Sequence, residues 1–331
     1  MNPLNQKKKQ IRKEIRNRIE IKVTNVIPQL QMSPIDYFYL HANQLWYLDK
    51  MQVALFNQGR GALVNSVISK HSLFAQIQQL RRNENKGTEA EVTKRKKEIA
   101  ALIKQALFET LKTDEDKVEE YVTEQAQLNF DTSYEGEAFQ IAEEVVVKKL
   151  EEYLNELPIY TNYMSQVKGL GPKTSAKLLA VLKDITRFPT PSSLWHYCGL
   201  QVEENGFAEK KTAGQRLSSN PKMKSLLLGV IGPNFIKQNG QYRVVYDQRA
   251  EKTKKTRPEW WHLNPDGTKA TCKNMNPKHG YLDAKRVMIK RFLCELWRAA
   301  YFAKGQEPPC NPWILNQPNH HLDPDIVSYK S

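Results

Sequence analysis

Between residues 33 and 160 the apolar side chains recur every three or four positions, and almost nothing alternates with a period of two. This confines the stretch to helix, because residues three and four apart share a helical face whereas a half-buried strand needs strict alternation. Leu45, Leu48 and Leu55 stand at a/d-like spacing with Trp46 and Met51 alongside. Ile99, Leu102, Ala106 and Leu107 form a second stripe, and Ile141, Val145, Leu150 and Leu154 a third. Stripes of this kind pack as a plain helical bundle or as a dimerising coiled coil, and the pattern leaves both open. Residues 83–87 and 129–136 are the expected breaks.

From Asn162 onward glycines and prolines arrive as short, regular punctuation, the texture of a compact helical domain running to about Lys237. A loop rich in Pro, Asn, Gly and Trp spans residues 257–279. A last long helix is expected over residues 281–303, with Ile289, Phe292, Leu293, Leu296 and Ala300 on one face. Residues 242–246 are the one short strand candidate. The expected layout is a basic N-terminal arm (1–30), a helical or oligomerisation region (31–160), a helical domain (161–305) and a loosely held Pro-rich tail (306–331). No apolar run approaches the roughly 18 residues of a membrane span. Lys7–Lys9 are followed by no apolar stretch, so no secretory signal is expected. Four cysteines without pairing rhythm suit a reducing compartment, so the expected location is cytoplasmic, or nucleoid-associated in a prokaryote.

Charge narrows the partner. The 331 residues hold 50 Lys+Arg and 36 Asp+Glu, a net charge of +14. Residues 111–160 carry fourteen acids and four bases, so the rest of the chain carries +24. Residues 1–20 hold seven bases and two acids, and residues 208–257 twelve and three. Segregation of this kind favours a polyanion over a merely solvated surface, because each phosphate neutralised releases condensed counterions.

The sharpest local signal is residues 167–182, Val-Lys-Gly-Leu-Gly-Pro-Lys-Thr-Ser-Ala-Lys-Leu-Leu-Ala-Val-Leu. Gly169 and Gly171 permit a tight turn with backbone close to a partner. Pro172 suits a first helical turn, where its missing N–H costs nothing. The helix end then favours an anion, with Lys168, Lys173, Thr174 and Lys177 around it and Leu178, Leu179 and Leu182 buried behind. This is the pattern of a helix-hairpin-helix that grips a sugar–phosphate backbone without reading bases; an αα-hairpin that only packs has the same outline. The expected fold class is thus mainly α: a long helical region, open to being a coiled coil, followed by a helix-hairpin-helix-containing domain.

Asp184-Ile-Thr-Arg-Phe188, Leu194 and Tyr197-Cys-Gly-Leu200 follow the hairpin at close spacing. Further on come Arg216-Leu-Ser-Ser-Asn-Pro-Lys-Met-Lys224 and Lys285-Arg-Val-Met-Ile-Lys-Arg-Phe-Leu293. The ordered set resembles the C-terminal domain of the Piv-type DEDD insertion-sequence transposases, the one-ten/one-sixteen group, over about residues 161–305. The resemblance implies a mobile-element protein acting in DNA transposition and recombination. It implies backbone binding through the hairpin, through Lys210, Lys211, Arg216, Lys222 and Lys224, and through Lys285, Arg286, Lys290 and Arg291 on the late helix. Two departures accompany it. The family's nuclease-like domain, with four metal-binding carboxylates and a Gly-Ile-Asp strand, has no counterpart in residues 1–160. The family's nucleophilic serine is replaced by Asn205, and a carboxamide cannot form a phosphoserine-type intermediate; Ser218 and Ser219 lie nearest as substitutes.

The remaining motifs carry less. His262, Cys272 and His279 lack the close ligand pair usual for zinc. Trp260 and Trp261 beside Lys252–Arg257 could stack on bases or plug the loop into the core. The expectation is a nucleic-acid-binding protein without independent catalysis, a homo-oligomer with DNA or structured RNA as partner and no membrane. It needs no cofactor, Mg²⁺ entering only with a partner that supplies the nuclease half. The alternatives are a recombinase completed by such a partner, and a structured-RNA-binding or DNA-architectural protein.

Overall fold

The computed structural model describes residues 13, 33–111, 117–131, 133–201, 214, 217–261, 263, 278–309 and 326–330. Among these the fold is mainly α and no strand is present. No described helix is long and apolar enough to cross a membrane. The basic arm except Lys13, most of the 257–279 loop, Asn205, Lys210, Lys211 and Arg216 lie outside the described residues. The chain divides into two compact units, residues 1–31 with 44–146 and residues 32–43 with 147–331.

The first unit draws on α1 (Pro34–Ile68), α2 (Phe74–Arg82), α3 (Glu89–Leu111), α4 (Val118–Asp131) and α5 (Tyr134–Asn155), of which α1 and α5 also lend residues to the second. Ile68, Ile77, Ile99, Ala106, Leu107, Val118 and Val122 bury a common core, with Leu63, Val64, Val67 and Leu80 packed on it. The breaks fall where turn chemistry puts them. After residues 83–87, Thr88 and Glu91 close a capping box that opens α3: the Thr88 amide donates to Glu91 Oε2 at 2.8 Å and the Glu91 amide to Thr88 Oγ1 at 3.5 Å. Between α4 and α5, Ser133 Oγ donates to the Phe130 carbonyl at 2.7 Å and accepts the Gly136 amide at 2.9 Å, ending one helix and starting the next. Glu119, Glu120, Glu124 and Glu144 point to solvent.

The second unit contains α6 (Pro158–Thr161), α7 (Pro172–Leu182), α8 (Pro191–Tyr197), α9 (Pro221–Leu226), α10 (Gly232–Lys237), α11 (Arg243–Thr256) and α12 (Lys278–Phe302). Proline opens α6, α7, α8 and α9, the position where its fixed φ helps and its missing N–H is not needed. Residues 242–246 are not extended: Tyr242 is the αR residue that opens α11 and residues 243–246 are its first turn. Tyr242 and Tyr246 are one helical turn apart, and Tyr242 is fully buried against the rings of Phe235 and Phe292, at 5.4 and 5.5 Å between centroids. Packing overrides the β preference of Val244 and Val245.

The spine is α12. Its expected face is buried and widened by Met288, Trp297 and Ala299. Indole and phenol groups tether the surrounding loops to it: Trp297 Nε1 donates to the Phe188 carbonyl at 2.8 Å, and Tyr301 Oη to the Thr186 carbonyl at 3.2 Å. In the middle lies Glu295, 3% exposed. Its carboxylate accepts from Tyr242 Oη, from Arg291 Nε at 2.8 Å, and from the Ile326 and Val327 amides at 3.0 and 3.2 Å. Tyr163 Oη joins through Tyr242 Oη at 2.7 Å. Burial first, and then the neighbouring Tyr163 and Glu295, hold the Tyr242 phenol well above its ordinary pKa, so it remains a donor.

The same carboxylate revises the reading of the tail. Residues 326–330 are not loosely held, because Glu295 takes two of their amides and the Asn162 carbonyl accepts the Lys330 amide at 2.9 Å. Composition reported the prolines but not a distant acceptor. Glu295→Leu leaves Arg291, Tyr242 and two amides without their common acceptor. The expected loss is about 3–5 kcal/mol of stability for this unit, measured by urea unfolding.

Candidate nucleic-acid interface

The hairpin begins in a short 3₁₀ turn, Met164–Gln166, and ends at Pro172. Val167 and Leu170 are buried and the Leu170 amide closes the turn on the Val167 carbonyl at 3.0 Å. The two glycines are not equivalent. Gly169 has φ +95, and a Cβ there would stand 3.1 Å from the Phe235 ring and 3.3 Å from the Asn234 backbone. Gly171 has extended backbone, φ −77 and ψ 172, and open space where a Cβ would go. The turn therefore depends on Gly169. Gln241 clamps it from the other side, accepting the Lys168 amide at 2.9 Å and donating to the Gln166 carbonyl at 2.7 Å. Lys168 is exposed, while Lys173 and Thr174 are half-buried at the start of α7. Lys177 lies inside, at 4% exposure. It adds no charge to the outer rim.

The motif elements after the hairpin turn out to be structural. Asp184 caps the turn Ile185–Arg187, accepting from the Thr186 amide at 3.1 Å and from Lys304 Nζ at 2.7 Å. Hydrogen bonds from Lys304 and then Thr186 hold its carboxyl below the usual range. The Arg187 guanidinium lies over the rings of Phe188 and Tyr197, at 4.7 and 5.1 Å. At the end of α8 the Gly199 amide reaches the His196 carbonyl at 2.9 Å and the Leu200 amide the Trp195 carbonyl at 3.0 Å. That is a Schellman closure, and Gly199 supplies its left-handed residue at φ +69. Cys198 is wholly buried, and burial pushes its thiol up, away from any nucleophilic role.

The basic segment attaches to this closure. The Asn220 amide donates to the Tyr197 carbonyl at 2.8 Å, and its side chain donates to Tyr197 Oη at 2.9 Å. Asn220 Oδ1 accepts the amides of Lys222 and Met223, capping α9. Lys222 is exposed and Lys224 half-buried. Ser219 is 9% exposed, tucked beside Gly199. Ser218 is exposed and accepts from Gln201 Nε2 at 3.4 Å, while Gln201 Oε1 meets His196 Nδ1 at 2.7 Å.

The late-helix bases separate into two groups. Lys285 is 5% exposed, and its ammonium donates to the Leu228 carbonyl at 3.1 Å over the Tyr281 ring. The reason lies in a π-helical turn, Leu227–Ile231, followed by Pro233. In that winding the i−5 acceptor for residue 233 is Leu228, and proline has no N–H to give it. Lys285 fills the vacancy, and Gly232 makes room, since a Cβ there would stand 2.8 Å from the lysine stem. Arg291 serves Glu295. Both residues, expected on a nucleic-acid groove, are engaged inside the fold. Arg286 and Lys290 form a different cluster with Asp283 and Arg249. The sequence reading missed Arg249, Gly232 and Pro233 because a lysine's partner across a helix crossing leaves no local signature.

Of the two tryptophans, Trp261 donates to Thr253 Oγ1 at 3.0 Å and packs on Gly280, and Trp260 meets the His279 ring edge-on at 4.3 Å under the Arg257 guanidinium. They pin residues 257–261 onto α11 and α12. His262 and Cys272 lie outside the described residues, and among the described ones no group of His, Cys, Asp and Glu could hold a metal.

The inequality of the glycines is directly measurable. Gly169→Ala is expected to cost at least about 1–2 kcal/mol from its backbone conformation alone. Gly171→Ala should stay within about 0.5 kcal/mol of wild type in the same unfolding assay.

No curated protein and no solved structure matches this chain. Residues 161–232 match the family model described as Transposase IS116/IS110/IS902 family. The matched stretch opens just before the hairpin, includes the Asp184 cap, the Schellman closure and α9, and ends at Gly232 beside the π turn. Over those residues the chain is similar to the C-terminal-like domain of that transposase family, which supports a transposition-related role.

Proposed function

We propose that the second unit binds the sugar–phosphate backbone of DNA as part of a transposition machinery. The observation that carries this reading is the hairpin of a transposase-like segment, braced from behind by Phe235 and Gln241, with Lys168 exposed and Lys173 and Thr174 at the start of α7. A tight glycine turn running into a helix N-terminus suits phosphate oxygens, which meet backbone amides and the positive end of the helix dipole. Lys222 and Lys224 on α9, which packs on α7, extend the positive surface, and Lys210, Lys211 and Arg216 belong to the same reading. A cytoplasmic location, nucleoid-associated in a prokaryote, goes with it. The protein acts as a homo-oligomer; Tyr47 and Met51, one turn apart on α1 at 67% and 53% exposure, are the apolar surface for self-association. A monomer by light scattering at tens of micromolar removes that part.

Duplex DNA is expected to bind with an affinity that falls steeply between low and moderate salt, log K against log salt having a slope of about −0.9 per phosphate neutralised. Anisotropy titration tests it, and absence of binding at low salt overturns the reading. Lys168→Ala and Lys222→Ala should each make the slope shallower by about one. Structured RNA in competition decides between the two polyanions.

No strand cutting or joining is expected from this chain by itself. Asn205 offers no hydroxyl, and a Mg²⁺ clamp requires carboxylates from a partner. Incubation with supercoiled element-end DNA and Mg²⁺, followed by denaturing electrophoresis, should yield no covalent protein–DNA adduct. An adduct lost in a Ser218→Ala, Ser219→Ala double variant would overturn this and identify the nucleophile.

A further inference from the structure

Where α11 packs on α12, two arginines meet one carboxylate and a lysine stands one turn further along. Arg249 Nε donates to Asp283 Oδ2 at 2.7 Å, and the Arg286 guanidinium lies 3.7 Å from Asp283 Oδ1. Lys290 stands one helical turn beyond Arg286, its ammonium 5.2 Å from the centre of the Trp195 ring. The side chains are partly withdrawn from water, with 13% of Arg286, 12% of Asp283 and 33% of Arg249 exposed. Among the described residues no second acid pairs with any of the three, so the cluster holds two positive charges in excess.

That excess is unfavourable as it stands. Burial first, and then Arg286, hold the Lys290 ammonium below its ordinary pKa, with Asp283 opposing. Arg286 is lowered by burial and by Arg249 against the same acid. A half-buried group of like charges is costly unless something of opposite sign completes it. Lys285 and Arg291, on the same helix, each have an internal acceptor, so an unfilled requirement is not the rule for this surface. The geometry also fits an incoming group. Asp283 holds Arg249 through Nε, which leaves the terminal N–H groups of that planar fork for a second acceptor, and phosphate oxygens match such forks.

We propose that Arg249, Arg286 and Lys290 form a phosphate-binding site oriented by Asp283, its ligand a backbone phosphodiester. The site deepens the DNA-binding reading and rests on it for the source of the phosphate. It predicts a contact separate in sequence from the hairpin, carried by the packing of α11 on α12.

The test uses the full chain and two readouts. Thermal unfolding is followed in low-millimolar inorganic phosphate against chloride at matched ionic strength, and duplex DNA binding by anisotropy. Lys290→Met keeps an apolar stem on Trp195 while removing a charge, Arg286→Gln removes a second one, and the exposed Lys252→Ala is the charge-matched control. Wild type and Lys252→Ala should melt higher in phosphate, and the other two variants should lose that rise; general salting by phosphate is common to all four. Lys290→Met and Arg286→Gln should bind DNA about tenfold more weakly, the size of a charged hydrogen bond, with a salt slope shallower by about one. If the phosphate rise is lost in the variants while DNA affinity is unchanged, the backbone source is overturned. If wild type shows the rise yet binds no DNA, the phosphate site stands and the DNA-binding reading fails. No phosphate-specific rise in wild type over Lys290→Met, together with unchanged DNA binding by both variants, overturns the site.

Discussion

A single buried carboxylate organises the second unit. Glu295 sits about two turns before the end of α12 and gathers a tyrosine from the start of α11, an arginine one turn earlier and two amides from the C-terminal segment. Through Tyr242 it also reaches Tyr163, four residues before the hairpin turn begins at Val167. A carboxylate withdrawn from water is tolerated only when its lone pairs are filled, and here the partners come from three parts of the chain. The hairpin is therefore set by a network that begins on another helix. Gln241, next to Tyr242, completes the connection by holding the turn's backbone directly.

The π turn before α10 illustrates how one local irregularity consumes a charge. Pro233 deprives the Leu228 carbonyl of its helical donor, and the buried Lys285 ammonium takes its place. Of the bases on the late helix, Lys285 and Arg291 answer internal acceptors, whereas Arg286 shares one acid with Arg249 and Lys290 lies beyond it over Trp195. A net charge of +14 cannot distinguish the two kinds of cation. Only the partner list does.

The elements that made the chain look like a transposase segment owe their residue types mostly to geometry. Asp184 caps, Arg187 stacks, Gly199 turns left-handed and Asn220 ties α9 to Tyr197. None of these groups stands poised to attack a phosphorus atom. The transposition-related role that the family match supports for residues 161–232 and the structural duty of these side chains are compatible, since a functional turn must itself be held rigidly.

What the sequence determined by itself was local. The 3.6-residue periodicity, the prolines at helix starts, the breaks near residues 83–87 and 129–136 and the buried face of α12 all follow from neighbouring residues, so they were legible in advance. The tight glycine turn at residues 167–171 and the helix start at Pro172 were legible for the same reason. The tertiary structure alone decided which glycine bears the turn, because Gly169 is distinguished from Gly171 by Phe235, sixty-six positions away. It alone turned residues 243–246 into helix, sent Lys177 and Lys285 inside, fastened Ile326 and Val327 to Glu295, and brought Arg249 to Asp283. Those outcomes depend on partners remote in sequence, and a charged side chain's role is set by the dielectric and the acceptors around it, which only the folded chain supplies.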